Sequence, residues 1–352
     1  MAKKDFIPGG SKLGKEQEDI LNNRNDHSFI VKGCAGSGKS LLALLKAKQI
    51  QDSNLGSVLF VVKTNSLKQY MADAIKTYNI NASNVETYNK CFYWTKTDNK
   101  WERGNWKKGS YDFIIVDEAQ DLTKEDILLL KDKADKAIFY YGDSAQQLYD
   151  FDRTKEPVTM EDIAYFTRFP TEQLVFNYRL PKKIAKVAEY VNSENDRLVS
   201  RCVEEGYECP FLQEYNSFEE ELDAYIKIKK NRNFEDVGIL FRKDDDVKRA
   251  YEYLKGKGEN VEARYGGGIV DDLDFKSNNT KIMNYHNAKG LQFEAVFLPE
   301  CYCSDNGSRN ALYVAITRTY QSLYIMHTGN LSNFLDAVPE ELFEQTSKTE
   351  EL

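Results

Sequence analysis

Apolar runs of strand length alternate with helical patterns along the first half of the chain. Near-continuous apolar strands of this kind are typical of a parallel sheet whose two faces are both covered by helices. The predicted strands are Ser28–Lys32, Val58–Lys63, Tyr111–Val116 and Ala137–Tyr141. The predicted helices are Glu16–Asn22, Leu41–Ile50, Ser66–Tyr78 and Lys124–Lys133.

A second series of the same type follows Pro170, so the pattern predicts two α/β domains in tandem. We expect residues 1–170 to form the first domain, residues 171–340 the second, and residues 341–352 an acidic tail. The predicted strands of the second domain are Gln173–Phe176, Val237–Phe241, Lys281–Tyr285, Ala295–Leu298 and Leu323–Met326. Its predicted helices are Lys182–Asn192, Phe218–Asn231 and Asp246–Gly256.

Composition narrows the class of protein. The chain has 352 residues, 41% of them hydrophobic, but no apolar run long enough to span a membrane, so we expect a protein without membrane contact. The N-terminus lacks the apolar core of a secretory signal, and the six cysteines are therefore expected to be reduced thiols in a cytoplasmic protein. The net charge of −8 excludes a uniformly basic surface but leaves room for a local nucleic-acid groove.

The strongest chemical signal is the segment from Gly33 to Ser40, which reads GCAGSGKS. It follows a predicted strand and precedes a predicted helix, which is the context of the phosphate-binding loop of nucleoside triphosphatases. In that loop, backbone N–H groups from Gly33, Cys34, Ala35, Gly36, Ser37 and Gly38 surround the phosphates of ATP. Lys39 is expected to contact the β- and γ-phosphates, and the Ser40 hydroxyl to ligate Mg²⁺.

Two adjacent acids end the predicted strand Tyr111–Val116, at the edge where an open parallel sheet binds its ligands. We expect Asp117 to hold Mg²⁺, and Glu118 to act as the base that activates the attacking water. The next strand is followed by GDSAQQLY, in which Gln146 is a candidate contact for the γ-phosphate or the water. Tyr149 and Phe151 are candidate stacking surfaces for unpaired bases, although aromatic residues near a loop more often belong to the core.

Taken in order, these segments resemble the motifs of the UvrD/Rep-type helicases of superfamily 1. LGKEQ resembles the adenine-reading motif, and GCAGSGKS, VDEAQD and GDSAQQLY resemble the next three. FNYR, VGILFR, YHNAKGLQF and YVAITRT resemble the later motifs, which end at Thr319. The resemblance implies two RecA-like P-loop NTPase domains, with ATP bound in the cleft between them.

The resemblance also assigns roles to individual positions. Gln17 would contact the adenine, Tyr178 would stack on it, and Gln292 stands where the family has a glutamate near the ribose. Arg179 and Arg318 would reach the γ-phosphate from the second domain as arginine fingers. His286 and Lys289 would link the nucleotide to the nucleic-acid strand. Positions that would follow the strand itself are Thr64, Asn65, Thr87, Tyr88, Tyr149, Phe151 and Arg242.

The chain departs from the family pattern in length. About twenty residues separate Phe92 from the strand at Asp112, where the family carries a large inserted subdomain, and the stretch from Arg242 to Lys281 is also short. We therefore expect a compact form of the family. The expected activity is ATP-dependent translocation along single-stranded DNA in the 3′ to 5′ direction, with RNA as an alternative strand. The alternative functions are a strand-stimulated ATPase motor or a nucleotide-gated DNA sensor, either of them working with a protein partner.

Overall fold

The computed structural model describes residues 13–81, 84–97, 100–146, 158–192, 197–265, 273–303 and 305–344. Within them the chain divides into two compact units, and the division falls between Val175 and Phe176. Each unit contains one six-stranded sheet with helices on its faces, which confirms the predicted α/β fold with mostly parallel sheets. None of the described helices is both long and apolar enough to cross a membrane.

The sheet of the first unit has the strand order β3-β2-β6-β7-β1-β8, and its neighbouring strands all pair in parallel. The strands of this unit are β1 Phe29–Gly33, β2 Val58–Val62, β3 Val85–Thr87, β4 Phe92–Thr97, β5 Lys100–Trp106, β6 Tyr111–Val116, β7 Ala134–Gly142 and β8 Thr171–Leu174. Its helices are α1 Lys15–Leu21, α2 Lys39–Asp52, α3 Asn65–Tyr70, α4 Ala72–Thr77, α5 Lys124–Asp132 and α6 Met160–Thr167.

Side chains of this sheet alternate between two apolar layers. Phe29 and Val31 of β1 pack into the layer that contains α2, whereas Ile30 between them packs into the layer that contains α5 and α6. The strands are thus buried on both faces, as their near-continuous apolar runs predict. The remaining two strands, β4 and β5, form a separate antiparallel hairpin.

One strand assignment made from the sequence is wrong. The strand near Gln173 was expected to open the second domain, but β8 pairs with β1 and completes the first sheet. The pairing puts Ile30 opposite Thr171, and the Ile30 N–H donates to the carbonyl of Pro170. One edge of β1 pairs with β7, and its other edge is open to a strand that lies more than a hundred residues away in sequence. The local sequence pattern does not reveal such a pairing.

The sheet of the second unit has the order β11-β12-β10-β13-β14-β9, again with parallel neighbours. Its strands are β9 Phe211–Glu214, β10 Val237–Phe241, β11 Val261–Arg264, β12 Thr280–Asn284, β13 Phe293–Leu298 and β14 Thr319–His327. Its helices are α7 Lys182–Val191, α8 Leu198–Arg201, α9 Phe218–Arg232, α10 Asp244–Gly256 and α11 Asn306–Ile316. A 3-10 turn covers Glu340–Leu342 at the start of the predicted acidic tail, and residues 345–352 of that tail lie outside the described residues.

Candidate active site

The loop from Cys34 to Gly38 connects β1 to α2 in the first unit. Gly36 and Gly38 both have positive φ, at 78° and 89°, and Gly38 is the N-cap of α2. A Cβ at Gly38 would also lie 2.5 Å from Nε2 of Gln17, so a side chain there would displace that amide. This backbone course and the following helix N-terminus are what a phosphate-binding loop requires.

Lys39 is buried beside the loop. Its Nζ donates to the carbonyls of Gly33, at 2.8 Å, and Cys34, at 3.0 Å, and it lies 4.0 Å from Oδ2 of Asp143. The ammonium group is therefore held within the loop, where a triphosphate would be bound. Asp143, which follows the end of β7, was given no role from the sequence.

Gln17 on α1 joins this loop through its side chain. Its Nε2 donates to the carbonyl of Ser37 at 2.9 Å, and its Oε1 accepts the N–H of Gly14 at 2.9 Å. The structure thus fixes Gln17 against the phosphate loop with both ends of its amide in use. The contact of this side chain with adenine stays a prediction.

Asp117 and Glu118 follow β6 at the same edge of the sheet. β6, β7 and β1 are neighbours in the sheet, so their carboxyl ends bring Asp117, Asp143 and the phosphate loop together. Burial, and then the adjacent Glu118 carboxylate, raise the pKa of Asp117 to about 7, whereas the Ser40 hydroxyl and the Lys39 ammonium oppose this shift. A divalent cation at this place would reverse the effect on the pKa.

The donor set fits Mg²⁺. Oδ2 of Asp117 is buried and has no hydrogen-bond partner of normal geometry among the described residues, and Ser40 lies close enough to act on the same carboxyl. A carboxylate and a hydroxyl beside a phosphate loop are ligands that Mg²⁺ accepts together with phosphate oxygens and water. Oγ of Ser37 in the loop is likewise buried without a partner within the described part of the chain, which suits contact with a bound polar group.

Glu118 is fixed by a neighbour that the sequence analysis missed. Its backbone is left-handed, with φ 57° and ψ 45°, and its Oε2 accepts a hydrogen bond from Nε2 of Gln120 at 2.6 Å. Oε1 of Gln120 in turn accepts the N–H of Asp143 at 3.1 Å. Gln120 therefore connects the two acidic segments. The sequence signal that could have indicated it is an amide residue two positions after the acid at the end of a strand.

Gln146 lies in the same network. Its Nε2 donates to Oδ2 of Asp143 at 2.6 Å, the carboxylate oxygen that also faces Lys39. The structure thus brings Lys39, Asp117, Glu118 and Gln146 together as predicted from separate motifs, with Gln120 and Asp143 between them. Tyr149 and Phe151, predicted to stack on bases, lie outside the described residues.

Arg179 and Arg318 both bond to Thr317 in the second unit, although they are 139 residues apart in sequence. Nη2 of Arg179 donates to the Thr317 carbonyl at 3.1 Å, and Nη2 of Arg318 donates to the Thr317 hydroxyl at 2.9 Å. Nε of Arg318 donates to the Val314 carbonyl, and the side chain is 1% exposed. The two guanidinium groups are thus clustered, and their action as arginine fingers stays a prediction.

Asn177 holds the backbone that carries Arg179. Its Oδ1 accepts the N–H groups of both Arg179 and Leu180 at 2.9 Å, and the side chain is buried. Tyr178, between Asn177 and Arg179 in sequence, is partly exposed, and its ring centroid lies 6.3 Å from that of Phe176. The exposed aromatic pair is compatible with stacking on a flat ring, which is the role predicted for Tyr178.

The other second-unit positions are spread along the carboxyl ends of its strands. Arg242 follows β10 and is paired with Asp305 at 2.8 Å. His286 follows β12 and is partly exposed, as is Gln292 just before β13, whereas Lys289 is buried.

The predicted strand-binding positions of the first unit differ in exposure. Thr64 caps α3 by accepting the N–H of Leu67, and Asn65 is the first residue of that helix. Both are partly exposed at the end of β2, but Thr87 is buried. Tyr88 is a correction: its ring is 3% exposed and packs 5.0 Å from Phe92 within the apolar layer, because the chain turns inward there before the hairpin.

Two families match the chain, in the order that the motifs predict. Residues 17–152 match the family described as AAA domain, and residues 281–326 match the UvrD-like helicase C-terminal domain. A protein of Acanthamoeba polyphaga mimivirus named as an ATP-dependent DNA helicase is 22% identical over 63% of this chain and 35% of its own length. A protein of Mycoplasma pneumoniae named as a DNA helicase is 24% identical over 62% of this chain and 44% of its own length. The chain thus matches less than half the length of either relative.

Among solved structures, the helicase of PRRSV is similar with a TM-score of 0.47 and 14% identity, over 95% of this chain and 57% of that one. The arterivirus nonstructural protein 10 helicase has a TM-score of 0.46 and 16% identity, over 89% and 61% of the two chains. The family matches cover the phosphate loop, both acidic segments and the segment from Lys281 to Met326. The UvrD-like match and the relatives named as DNA helicases support the predicted resemblance to the UvrD/Rep-type helicases of superfamily 1.

Proposed function

We propose that this protein hydrolyses ATP to move along single-stranded DNA, in the 3′ to 5′ direction, with ATP bound between the two RecA-like domains. The observation that carries the proposal is the buried cluster at the ends of β6, β7 and β1. There Lys39 lies 4.0 Å from Asp143, Glu118 is held by Gln120, and Asp117 keeps a carboxylate oxygen without a normal partner among the described residues.

Each residue of the cluster has a chemical role in phosphoryl transfer. Lys39 neutralises charge on the β- and γ-phosphates, and Glu118 accepts a proton from the attacking water. Gln146 orients that water or the γ-phosphate. Ser40 and Asp117 would hold Mg²⁺, which when bound neutralises charge on the phosphate oxygens. Arg179 and Arg318 add cationic charge from the second domain when the domains close, by the arginine-finger logic.

Movement along a nucleic-acid strand requires two surfaces that bind the strand in turn. Hydrolysis in a cleft between two domains changes their separation, and two surfaces whose affinity for the strand alternates suffice to move it. The 3′ to 5′ direction and the preference for DNA rest on the resemblance to the UvrD/Rep-type helicases. Named helicase activity in two relatives supports the same class of substrate.

A second candidate is a strand-stimulated ATPase that serves a larger assembly. The described chain between β3 and β6 forms a 3-10 turn and the β4–β5 hairpin, at the place where UvrD/Rep-type helicases carry a larger inserted subdomain. A motor without that subdomain would depend on a protein partner to separate a duplex. The third candidate is a nucleotide-gated sensor, which binds DNA tightly without moving along it.

The test is ATP hydrolysis with and without oligo(dT). We expect hydrolysis to rise at least about tenfold with the single strand and little with blunt duplex, as in enzymes whose catalytic site is completed by their substrate. Lys39→Ala should abolish the response, because it removes the phosphate-facing cation. Hydrolysis that is unchanged by the strand, together with tight ATP-dependent DNA binding, would favour the sensor.

A further inference from the structure

The β4–β5 hairpin, Phe92–Thr97 and Lys100–Trp106, displays large aromatic side chains to solvent. Trp101 is 65% exposed, Trp94 is 40% exposed and Tyr93 is also exposed. Large aromatic side chains that are exposed together in one small element mark an interaction site more often than singly scattered ones do. These side chains are therefore unexplained by the packing of the first unit.

The base of the hairpin is nevertheless firmly attached. The rings of Phe92 and Trp106 meet edge to face at 5.4 Å, and the Arg103 guanidinium stacks 4.7 Å from the Phe92 ring. Arg103 also pairs with the buried Asp126 of α5 at 2.7 Å. A two-stranded hairpin is marginally stable by itself, so these contacts are what hold its outer part in place.

The cross-strand register gathers tryptophan and cationic side chains on one face. Trp94 lies opposite Arg103, and Lys96 lies opposite Trp101. Residues two apart on a strand point to the same side, so these four share a face. Nε1 of Trp94 donates to the carbonyl of Asn89 at 2.7 Å, which orients its ring. The face thus carries two tryptophan rings and the Lys96 ammonium, while the Arg103 guanidinium is engaged with Asp126 and Phe92.

The charge of the hairpin is opposite to that of the whole chain. Residues 92–106 contain three Lys and Arg residues against two acids, and the flanking Lys90, Lys107 and Lys108 add three more cations, whereas the chain has a net charge of −8. A local basic surface in an acidic protein is complementary to a polyanion. Exposed aromatic rings among cations suit one polyanion in particular, a strand whose bases are unpaired.

We propose that this face of the hairpin binds single-stranded nucleic acid, with unpaired bases stacked on Trp94 and Trp101 and phosphates near Lys96. The proposal deepens the proposed function, since it rests on a strand being the substrate. The position agrees with it: the hairpin begins five residues after Thr87, at the carboxyl end of the edge strand β3. Thr64 and Asn65, predicted to contact the strand, follow β2, the neighbour of β3.

The chain supplies its own reporter for this surface. All three tryptophans, Trp94, Trp101 and Trp106, lie in the hairpin, so tryptophan fluorescence reports on that element alone. Titration of the full chain with oligo(dT), and in a separate arm with oligo(rU), should quench this emission. Affinity, measured by anisotropy of the labelled strand, should fall roughly 5- to 150-fold in Trp101→Ala, as expected for the loss of one stacked base.

Two further variants and a control make the test specific. Trp101→Phe keeps an aromatic ring and should therefore retain most of the affinity. If Trp101 acted only through the packing of the hairpin, a ring at this position would not be needed for strand binding. Lys96→Gln should reduce the log–log salt slope of binding by about 0.7, the value for one phosphate contact on a single strand. Tyr165→Ala removes an aromatic ring that is 80% exposed on α6, outside the hairpin, and should leave affinity unchanged.

The two proposals can fail separately. If wild-type ATPase is stimulated by the strand while Trp101→Ala binds and responds like wild type, the hairpin does not contact the strand, and its exposed rings belong to a protein interface. If the strand quenches tryptophan emission and binding depends on Trp101, but hydrolysis ignores the strand, the hairpin surface stands and the motor function does not.

Discussion

At the scale of single residues, Glu118 is the proposed base for ATP hydrolysis. Its carboxylate is buried and accepts a hydrogen bond from Gln120, which fixes its position at the end of β6. Glu118→Gln keeps the size of the side chain and removes the base. We expect ATP to bind and turnover to fall by about 10²–10⁴ in strand-stimulated assays, the usual cost of losing a general base.

The control for this variant is Lys39→Ala, in which ATP binding itself should weaken. Binding of a fluorescent ATP analogue, measured beside steady-state turnover, separates the two effects. Hydrolysis by Glu118→Gln at the wild-type rate would show that another group activates the water.

Arg318 poses a different question, because its guanidinium is buried and bonded within its own unit. If it acts on the γ-phosphate during domain closure, Arg318→Ala should lower kcat far more than it weakens ATP binding, since the contact strengthens in the transition state. The measurement is kcat and KM for ATP with saturating oligo(dT).

Thermal unfolding of the same variant guards against a purely structural effect. Arg318→Lys keeps the charge without the planar fork, so it should preserve folding and still lose turnover. A near-normal kcat in folded Arg318→Ala would remove the main support for the cleft mechanism. Arg179→Ala should behave in the same way, because it shares Thr317 with Arg318.

At the scale of elements, Lys46 ties the helix of Gln17 to the helix of the phosphate loop. From α2, its Nζ donates to the carbonyls of Leu21, at 3.0 Å, and Asn23, at 2.7 Å, at the end of α1. It also faces the rings of Phe29 and Phe139 at 5.6 Å. Burial lowers the pKa of this lysine to about 8.

Lys46→Met should destabilise the first domain and weaken ATP binding, because two buried carbonyls lose a donor and α1 loses its attachment. The expected loss of unfolding free energy is about 1–3 kcal/mol. The charge adds a pH dependence: the folded pKa lies below the unfolded one, so wild-type stability gains from deprotonation as pH rises from about 8 to 10.5.

Denaturant unfolding of both proteins across that pH range checks the assignment. The stability difference between wild type and Lys46→Met should widen with rising pH, because only the wild type gains from deprotonation of the lysine. A constant difference would mean that Lys46 is neutral or solvated throughout.

At the scale of the whole molecule, the chain has the motifs of the proposed motor and only a short element where the UvrD/Rep-type helicases carry a duplex-binding subdomain. We expect robust translocation on single strands and poor unwinding, limited to short duplexes with a 3′ single-stranded tail. Affinity should fall steeply with salt, because phosphate contacts dominate such binding. Strand displacement on 3′-tailed duplexes, run beside translocation on single strands, measures both.

A 5′-tailed duplex is the matched control for direction, and it should not be unwound. Efficient unwinding of long duplexes by the isolated chain would show that a shorter element replaces the missing subdomain. The Trp101→Ala variant would then indicate whether the hairpin is that element.

Local sequence determined the phosphate loop and most strands, because each depends on residues that are neighbours along the chain. β6 and β10 have the predicted bounds, and Gly38 and Lys39 lie where a strand, a loop and a helix must meet. The order of the motifs likewise sufficed to indicate the resemblance to the UvrD/Rep-type helicases, whose C-terminal domain model matches residues 281–326.

Only the tertiary structure decided which distant segments come together. It placed β8 beside β1, buried Tyr88, joined Arg179 to Arg318 through Thr317, and inserted Gln120 and Asp143 between the catalytic segments. Strand pairing and side-chain networks of this kind depend on which edges and cavities remain open after folding, and a pattern read along one segment carries no information about them.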